Sequence, residues 1–302
     1  MGCGSWSASS FDNYTRATKG MSATSYYSAS GLNAQNIYKV KKLSDKLNPF
    51  NIMRECVDTE EHPNTIPVIL ALDVTGSMDR SAIKVSQKLG EIMTELYDTI
   101  PDVEFCIMGI GDLAYDSTPI QMSQFESDIR IAEQLDELYM EFGGGGNVYE
   151  SYTAAWYMGS RHTKLDCWNR DKKGIIITMG DELPNPYLPK NGGAWNPTFK
   201  EITGDTLQDN ISTKDLYKEV IEKFDIYHLS VDDNDSSYRW NNRHHQVDSA
   251  WEEMLGDNYK VVTLDNLAST IVNIISNAGS NMASSVDFTT DIKTNEKDEI
   301  SW

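Results

Sequence analysis

Three short apolar runs constrain this chain more than any other feature of its sequence. They are Ile66–Leu72, Phe105–Ile110 and Gly174–Thr178. A strand that is apolar at successive positions must be covered on both faces, as parallel strands are in α/β sheets. None of the runs approaches the roughly 20 residues that a membrane-spanning helix needs. The sequence therefore predicts buried strands and no membrane segment.

Amphipathic helices are predicted between these strands. The clearest covers residues 80–97, where one apolar stripe is formed by Val85, Leu89, Ile92, Met93 and Leu96. Further helices are predicted over residues 129–139, 150–160, 213–224, 249–255 and 267–275, and further strands over 120–125, 226–231 and 259–264. The alternation of strands and helices predicts a doubly wound, mostly parallel central sheet with helices on both faces, a Rossmann-like α/β fold.

The composition of the chain divides it into three parts. Residues 1–62 are predicted to form an N-terminal arm and connector, and aromatic residues such as Trp6 and Phe11 favour docking of this arm on the domain. Residues 63–278 form the α/β domain, in which the Pro- and Gly-containing segment 183–212 is predicted to be an insertion loop. Residues 279–302 are polar and acidic and are predicted to fray.

The charge of the chain limits its partners. The 302 residues include 46 acidic and 26 basic ones, which gives a net charge of −20. This field repels nucleic acid and favours metal cations and basic protein surfaces, although solubility alone also accounts for it. The start of the chain shows no secretory signal, and no two of the four cysteines have C-x-x-C spacing. We therefore expect a cytoplasmic protein without a zinc or redox cysteine pair.

A candidate metal-binding loop follows the first apolar run. It reads Asp73-Val74-Thr75-Gly76-Ser77 and offers one carboxylate and two hydroxyl groups. Ligands bind sheets of this kind at the carboxyl ends of the strands. An all-oxygen set suits a hard ion such as Mg²⁺ or Mn²⁺ rather than zinc. The alternative is that the hydroxyls only cap the following helix.

The sequence Asp-x-Thr-Gly-Ser after a hydrophobic strand resembles the metal-ion-dependent adhesion site (MIDAS) of von Willebrand factor A (VWA) domains. The resemblance covers about residues 63–278. It implies that Asp73, Thr75 and Ser77 ligate one divalent ion, Mg²⁺ or alternatively Mn²⁺ or Ca²⁺. It also implies that two further loops complete the site.

The second of these loops departs from the family pattern. Where the family has Gly-Gly-Thr, this chain has the glycine run Gly143–Gly146 followed by Asn147. The missing Thr ligand has three candidate replacements, of which Glu150 is the first choice and Asn147 and Ser151 are the others. A carboxylate at the start of a helix is also favoured by the helix dipole, so Glu150 has a purely structural alternative as a cap.

The third loop departs as well, because the family's Thr-Asp-Gly is replaced by Thr-Met-Gly-Asp-Glu. Asp181 is the candidate ligand there, and Glu182 is a weaker one. Asp112 follows the second strand at the same edge. With Asn147, Glu182 and the exposed-looking Trp195, it is expected to contact a partner.

The resemblance implies a metal-dependent protein-binding module that serves a multiprotein assembly, in the manner of bacterial and phage VWA proteins that work beside MoxR-type AAA+ ATPases. The partner would supply an acidic or neutral oxygen to the ion. A metal-assisted hydrolase, with Asp112, Glu150 or Glu182 as base, is one alternative. A structural or virion protein with a vestigial metal site is another. The sequence contains no nucleophile–base motif, which favours binding over catalysis.

Overall fold

The computed structural model describes residues 4–29, 33–141, 147–193, 195–232, 243–263 and 265–283. Within these residues the strands are β1 (Arg54–Cys56), β2 (Ile66–Asp73), β3 (Val103–Ile110), β4 (Ile120–Met122), β5 (Tyr149–Glu150), β6 (Thr163–Leu165), β7 (Gly174–Gly180), β8 (Leu183–Pro184), β9 (Tyr187–Leu188), β10 (Ile211–Ser212), β11 (Phe224–Asp232) and β12 (Tyr259–Thr263). The helices are α1 (Ala8–Lys19), α2 (Ala23–Tyr27), α3 (Ala34–Ile37), α4 (Asp79–Thr99), α5 (Arg130–Asp136), α6 (Thr153–Arg161), α7 (Phe199–Thr203), α8 (Thr213–Val220), α9 (Arg243–Leu255) and α10 (Leu267–Ala283).

Six strands form the central sheet in the order β12-β11-β7-β2-β3-β4. Every pair in it is parallel except β3 with β4, which is antiparallel. The predicted mostly parallel α/β sheet is therefore confirmed. The chain winds from β2 to β3 on one side and later returns to place β7 on the other side. The winding direction thus reverses between β2 and β7, which is where sheets of this type bind ligands.

The sheet separates two apolar cores. Val68, Leu70 and Leu72 of β2 face one core with α4 and α10, whereas Ile69 and Ala71 face the other core with α6, α8 and α9. This explains why the run is apolar at every position, since side chains alternate between two covered faces. Cys106 lies in the second core as a free buried thiol, as do Cys56 and Cys167.

The N-terminal segment covers the outer part of the first core. Trp6 and Phe11 are buried there against one another, with their ring centroids 5.2 Å apart. The Tyr38 hydroxyl donates to the carbonyl oxygen of Ala82 in α4 at 3.0 Å and lies 2.8 Å from the Ser86 hydroxyl. The aromatic residues of this segment thus dock it on the domain.

Several predictions about local structure were wrong in detail. The helix predicted over 249–255 begins at Arg243, and α10 continues to Ala283, beyond the predicted start of the tail at residue 279. The helix predicted over 150–160 begins at Thr153, because Tyr149 and Glu150 instead pair with Leu183 and Pro184 as short parallel strands. The segment 183–212, predicted to be a loop, contains β8, β9, α7 and β10. No helix in the described parts of the chain is long and apolar enough to cross a bilayer.

Candidate metal site at the carboxyl edge of the sheet

Asp73 ends β2 and is almost completely buried, with 1% of its surface exposed. Its Oδ1 accepts hydrogen bonds from the backbone N–H of Thr75 at 2.9 Å and from the Thr75 hydroxyl at 2.5 Å. Two members of the predicted ligand loop therefore lie together at the end of the strand. The backbone of Ser77 lies in the short 3-10 turn that follows, and its side chain is outside the described part of the structure.

Tyr152 is a site residue that the sequence did not reveal. Its hydroxyl donates to Oδ2 of Asp73 at 2.9 Å and accepts the backbone N–H of Glu182 at 3.3 Å. Its ring lies edge-on to His228 and Trp251, which stack on one another at a centroid distance of 3.7 Å. The Trp251 indole also donates to the Glu182 carbonyl oxygen at 3.1 Å. Tyr152 therefore connects the first and third loops above an aromatic layer.

A signal for this contact exists in the sequence, namely the glycine at position 180. A Cβ atom on Gly180 would collide with the Tyr152 hydroxyl and ring. Only glycine lets the strand end pass so close to the ring. The same turn brings Asp181 near enough to Asp73 that its charge, after burial, raises the pKa of the Asp73 carboxyl. The first and third predicted loops therefore meet.

Glu150 lies on the same edge, in β5 rather than at a helix start. It is 5% exposed, and its Oε2 has no hydrogen-bond partner among the described residues. Burial raises the pKa of this carboxyl, and the charges of Asp73, Asp116 and Asp112 raise it further. A buried carboxylate without a partner is costly, because it has lost its hydration and gained nothing in return.

Asp112 and Asp116 form the neighbouring part of the edge. Asp112 accepts the Asn147 amide at 2.7 Å, and Asp116 accepts the Asp112 backbone N–H at 2.7 Å. Burial, followed by the charges of Glu141 and Asp112, raises the pKa of Asp116 to about 6. Asn147 thus orients Asp112. The hydroxyl of Ser151, a sequence candidate for the missing ligand, accepts the Leu113 backbone N–H and the Asn185 side-chain amide, both at 3.0 Å.

We call Asp73, Asp112, Asp116 and Glu150 the acidic cluster. Among the described side chains, no Lys, Arg or His forms an ion pair with any of these four carboxylates. Each of the four has its pKa raised by burial. Burial therefore disfavours the charged form of each of these carboxyl groups, and a bound cation would favour it again.

The chemistry of these donors fits a hard cation, with one condition. No three His, Cys, Asp or Glu side chains of the described residues are grouped so that they could hold a metal ion by themselves. An ion at this edge therefore also needs hydroxyl or water oxygens, and the buried Thr75 hydroxyl is one such group. An oxygen-only set of this type suits Mg²⁺.

The predicted partner-contacting residues lie around the same edge. Trp195 is 97% exposed, and the next residue, Asn196, donates its amide to the Asp116 carbonyl oxygen at 2.8 Å. Asn147 and Asp112 are joined by the bond described above, and Glu182 lies on the turn held by Tyr152. The glycine run 143–146 lies outside the described residues.

The sequence matches no protein-family model and no curated protein. Among solved structures, the chain is similar to the open conformation of the pilus adhesin SpaC from Lactobacillus rhamnosus GG, with 14% identity and a TM-score of 0.48 over 77% of this chain and 31% of that one. It is also similar to the vWF domain of the type V pili tip protein Mfa5 from Porphyromonas gingivalis, with 11% identity and a TM-score of 0.45 over 78% and 98% of the two chains. The match to SpaC thus spans about a third of that protein.

Proposed function

We propose that this chain is a VWA-like, metal-ion-dependent protein-binding module. Its ion would be held by Asp73, Thr75 and Ser77, with Glu150 and Asp181 completing the set through bridging water, because no three acidic side chains of the described residues are grouped closely enough to bind one ion together. The observation that supports this most directly is the Glu150 carboxylate, which is buried next to Asp73 with one oxygen that has no partner among the described residues. A divalent cation would supply the missing positive charge.

Mg²⁺ is the ion we propose, with Mn²⁺ or Ca²⁺ as substitutes, because all candidate ligands are oxygen atoms. A bound ion would offer a coordination position to an acidic or neutral oxygen of a partner. The chain's own residues prepare this site: Tyr152 fixes the Asp73 carboxylate, and Gly180 lets the third loop approach it. These contacts orient the ligands before an ion arrives, which lowers the cost of binding.

The partner would contact Asp112, Asn147, Glu182 and Trp195, which surround the proposed ion. We propose a cytoplasmic multiprotein assembly as the setting, with a MoxR-type AAA+ ATPase as the first partner to test. This part of the proposal follows from the family resemblance of the sequence and from the exposed Trp195 beside the acidic cluster.

The metal is tested by thermal unfolding of the full chain with and without Mg²⁺. Wild type should gain about 2.7 kcal/mol at an ion concentration roughly 100 times the Kd. Asp73→Asn should lose this gain while keeping its fold, because an asparagine can still bond Thr75 and Tyr152. Asp225→Asn, at a half-buried strand position far from the cluster, is the matched control and should keep the gain. An equal gain in Asp73→Asn would contradict the proposal.

A metal-free structural module is the second candidate, and one observation favours it. Both oxygens of Asp73 already accept hydrogen bonds within the chain, from Thr75 and from Tyr152. A vestigial site would retain exactly such internal bonds and need no ion. In that case none of Mg²⁺, Mn²⁺ and Ca²⁺ stabilises wild type in the same unfolding experiment.

A further inference from the structure

Three segments meet at the carboxyl edge and each presents one exposed apolar side chain. Two hydrogen bonds join these segments: the Asn147 amide donates to the Asp112 carboxylate at 2.7 Å, and the Asn196 amide donates to the Asp116 carbonyl oxygen at 2.8 Å. A Cβ on Gly193 would collide with the Ala114 carbonyl oxygen, so the backbone at Gly192 and Gly193 packs against the backbone at Leu113 and Ala114. The exposed side chains are Tyr115, Val148 and Trp195, which we call the apolar rim.

The large aromatic side chains of the apolar rim are exposed to solvent. Trp195 is 97% exposed and Tyr115 is 52% exposed. Neither side chain is therefore part of the hydrophobic core that stabilises the single chain. Exposed tryptophan and tyrosine side chains are the groups that most often dominate binding energy at protein interfaces. The rim therefore has the composition of a docking surface.

The charge beside the rim selects the partner. Asp112, Asp116 and Glu150 lie next to it without an ion pair to any described cation, and Glu141 adds a further carboxylate against Ser117 and Thr118. Elsewhere many acids have partners, as in the pairs Arg161–Glu219 and Lys19–Asp136. One Glu150 oxygen, buried beside these groups, has no hydrogen-bond partner among the described residues.

We propose that the apolar rim docks a basic protein segment, which places an Arg or Lys side chain against Trp195 and Tyr115 and faces the acidic cluster. Aromatic faces attract guanidinium and ammonium groups, and the carboxylates steer and hold the same charge. This inference rests on the proposed partner-binding role of the edge and names the partner's chemistry. The edge carries the carboxyl groups of the acidic cluster and, among the described residues, no cation paired with them, so it favours a basic partner over an acidic one. The oxygen that this basic partner gives to the ion is then a neutral one.

Binding of two labelled peptides to the full chain tests this inference. One is a capped peptide of alternating arginine and glycine, and the other carries glutamate in place of arginine. Fluorescence anisotropy is measured at about 0.15 M salt, where long-range attraction is screened, with Mg²⁺ and with a chelator. The arginine peptide should bind more tightly than the glutamate peptide, and Trp195→Ala should weaken it by about tenfold.

Matched variants separate a docking surface from general attraction to an acidic protein. Glu141→Gln should weaken the arginine peptide several-fold, whereas Glu95→Gln, an exposed acid on α4, should not. Met21→Ala, an exposed apolar residue of the N-terminal segment, should also have no effect. Equal affinity of Trp195→Ala and wild type for the arginine peptide, or a preference for the glutamate peptide, would overturn the inference.

Three further outcomes are distinguishable. Self-association of wild type that Trp195→Ala abolishes would assign the rim to a second copy of the chain and overturn the inference. Arginine-peptide binding that depends on Trp195 in the absence of any Mg²⁺ effect on unfolding would support the inference and remove the metal from the proposed function. Mg²⁺-dependent stabilisation without any preference for the basic peptide would support the metal in the proposed function and overturn the inference about the basic partner.

Discussion

Carboxylates are buried at both ends of β3, but the groups that surround them differ. At its amino end, Glu104 lies beside the Cys56 thiol, and Glu126 pairs with Arg130 at 2.9 Å. The Gly4 carbonyl oxygen closes this end by accepting bonds from the Ser127 hydroxyl at 2.6 Å and the His62 ring at 2.9 Å. At the carboxyl end, the acidic cluster has no ion-pair partner among the described cations.

This difference indicates that the buried acids at the amino end have a structural role, whereas those at the carboxyl end have a role in binding. The amino end has charges of both signs nearby and is covered by the N-terminal segment, so its acids complete the fold. The carboxyl end has buried acids without an ion-pair partner among the described cations, and an exposed aromatic rim lies beside them. Neither burial nor an unbonded oxygen distinguishes the two ends, since both oxygens of Glu104 also lack a hydrogen-bond partner among the described residues. The ion pair of Arg130 with Glu126 and the cover of the N-terminal segment do distinguish them.

The largest effect on stability is expected in the N-terminal segment, which covers the amino end of β3. Trp6→Ala removes a side chain that is 6% exposed and packs against Phe11, so we expect a loss of about 3–5 kcal/mol in the free energy of unfolding. Urea unfolding of the full chain measures it. A loss below about 1 kcal/mol would mean that this segment does not close the amino end.

The next largest effect is expected at the carboxyl end of β3, on the stabilisation of the fold by Mg²⁺. Glu150→Gln keeps the shape of the side chain but removes its charge, so about 2.7 kcal/mol of Mg²⁺-dependent stabilisation at 100 times the Kd should be largely lost. Without Mg²⁺ the variant should be no less stable than wild type, since an amide carries no buried charge. Melting curves at matched ionic strength provide the measurement. Glu104→Gln is the control and should retain the Mg²⁺ effect.

Glu104 itself provides a pH test of the amino end. Burial raises its pKa from 4.5 to about 6, and the Cys56 thiol and the His62 charge partly oppose this. A raised acid pKa favours folding at low pH, and this contribution is lost as the pH rises from about 4.5 through 6. Glu104→Gln should abolish this loss and be about 2 kcal/mol more stable than wild type at pH 7. The same pH profile in both proteins would contradict the assignment.

The smallest effect on stability is expected at the rim. Trp195→Ala should change the free energy of unfolding by less than about 0.5 kcal/mol, because its side chain is 97% exposed. It is the matched counterpart of Trp6→Ala, with the same substitution in the opposite environment. A loss as large as that of Trp6→Ala would show that the tryptophan belongs to the core and not to a docking surface.

The sequence predicted the sheet well because its buried strands are continuous apolar runs, and it placed Asp73 and Asp181 at the ends of β2 and β7. It could not predict that Glu150 pairs in β5, since two-residue strands arise from tertiary contacts and leave no periodic pattern. Tyr152 and Trp251 were missed because aromatic residues at helical spacing look like ordinary core. The role of the ion at these residues stays a prediction.

The Tyr152 hydroxyl has a consequence for how the edge of the sheet is connected to the helix behind it. One oxygen atom holds both the Asp73 carboxylate and the backbone of Glu182, and the Glu182 carbonyl in turn holds the indole of Trp251 in α9. These three hydrogen bonds therefore link the end of β2 to α9 by a route that does not pass through the sheet. The position of α9 is thus tied directly to two of the loops that would hold the ion.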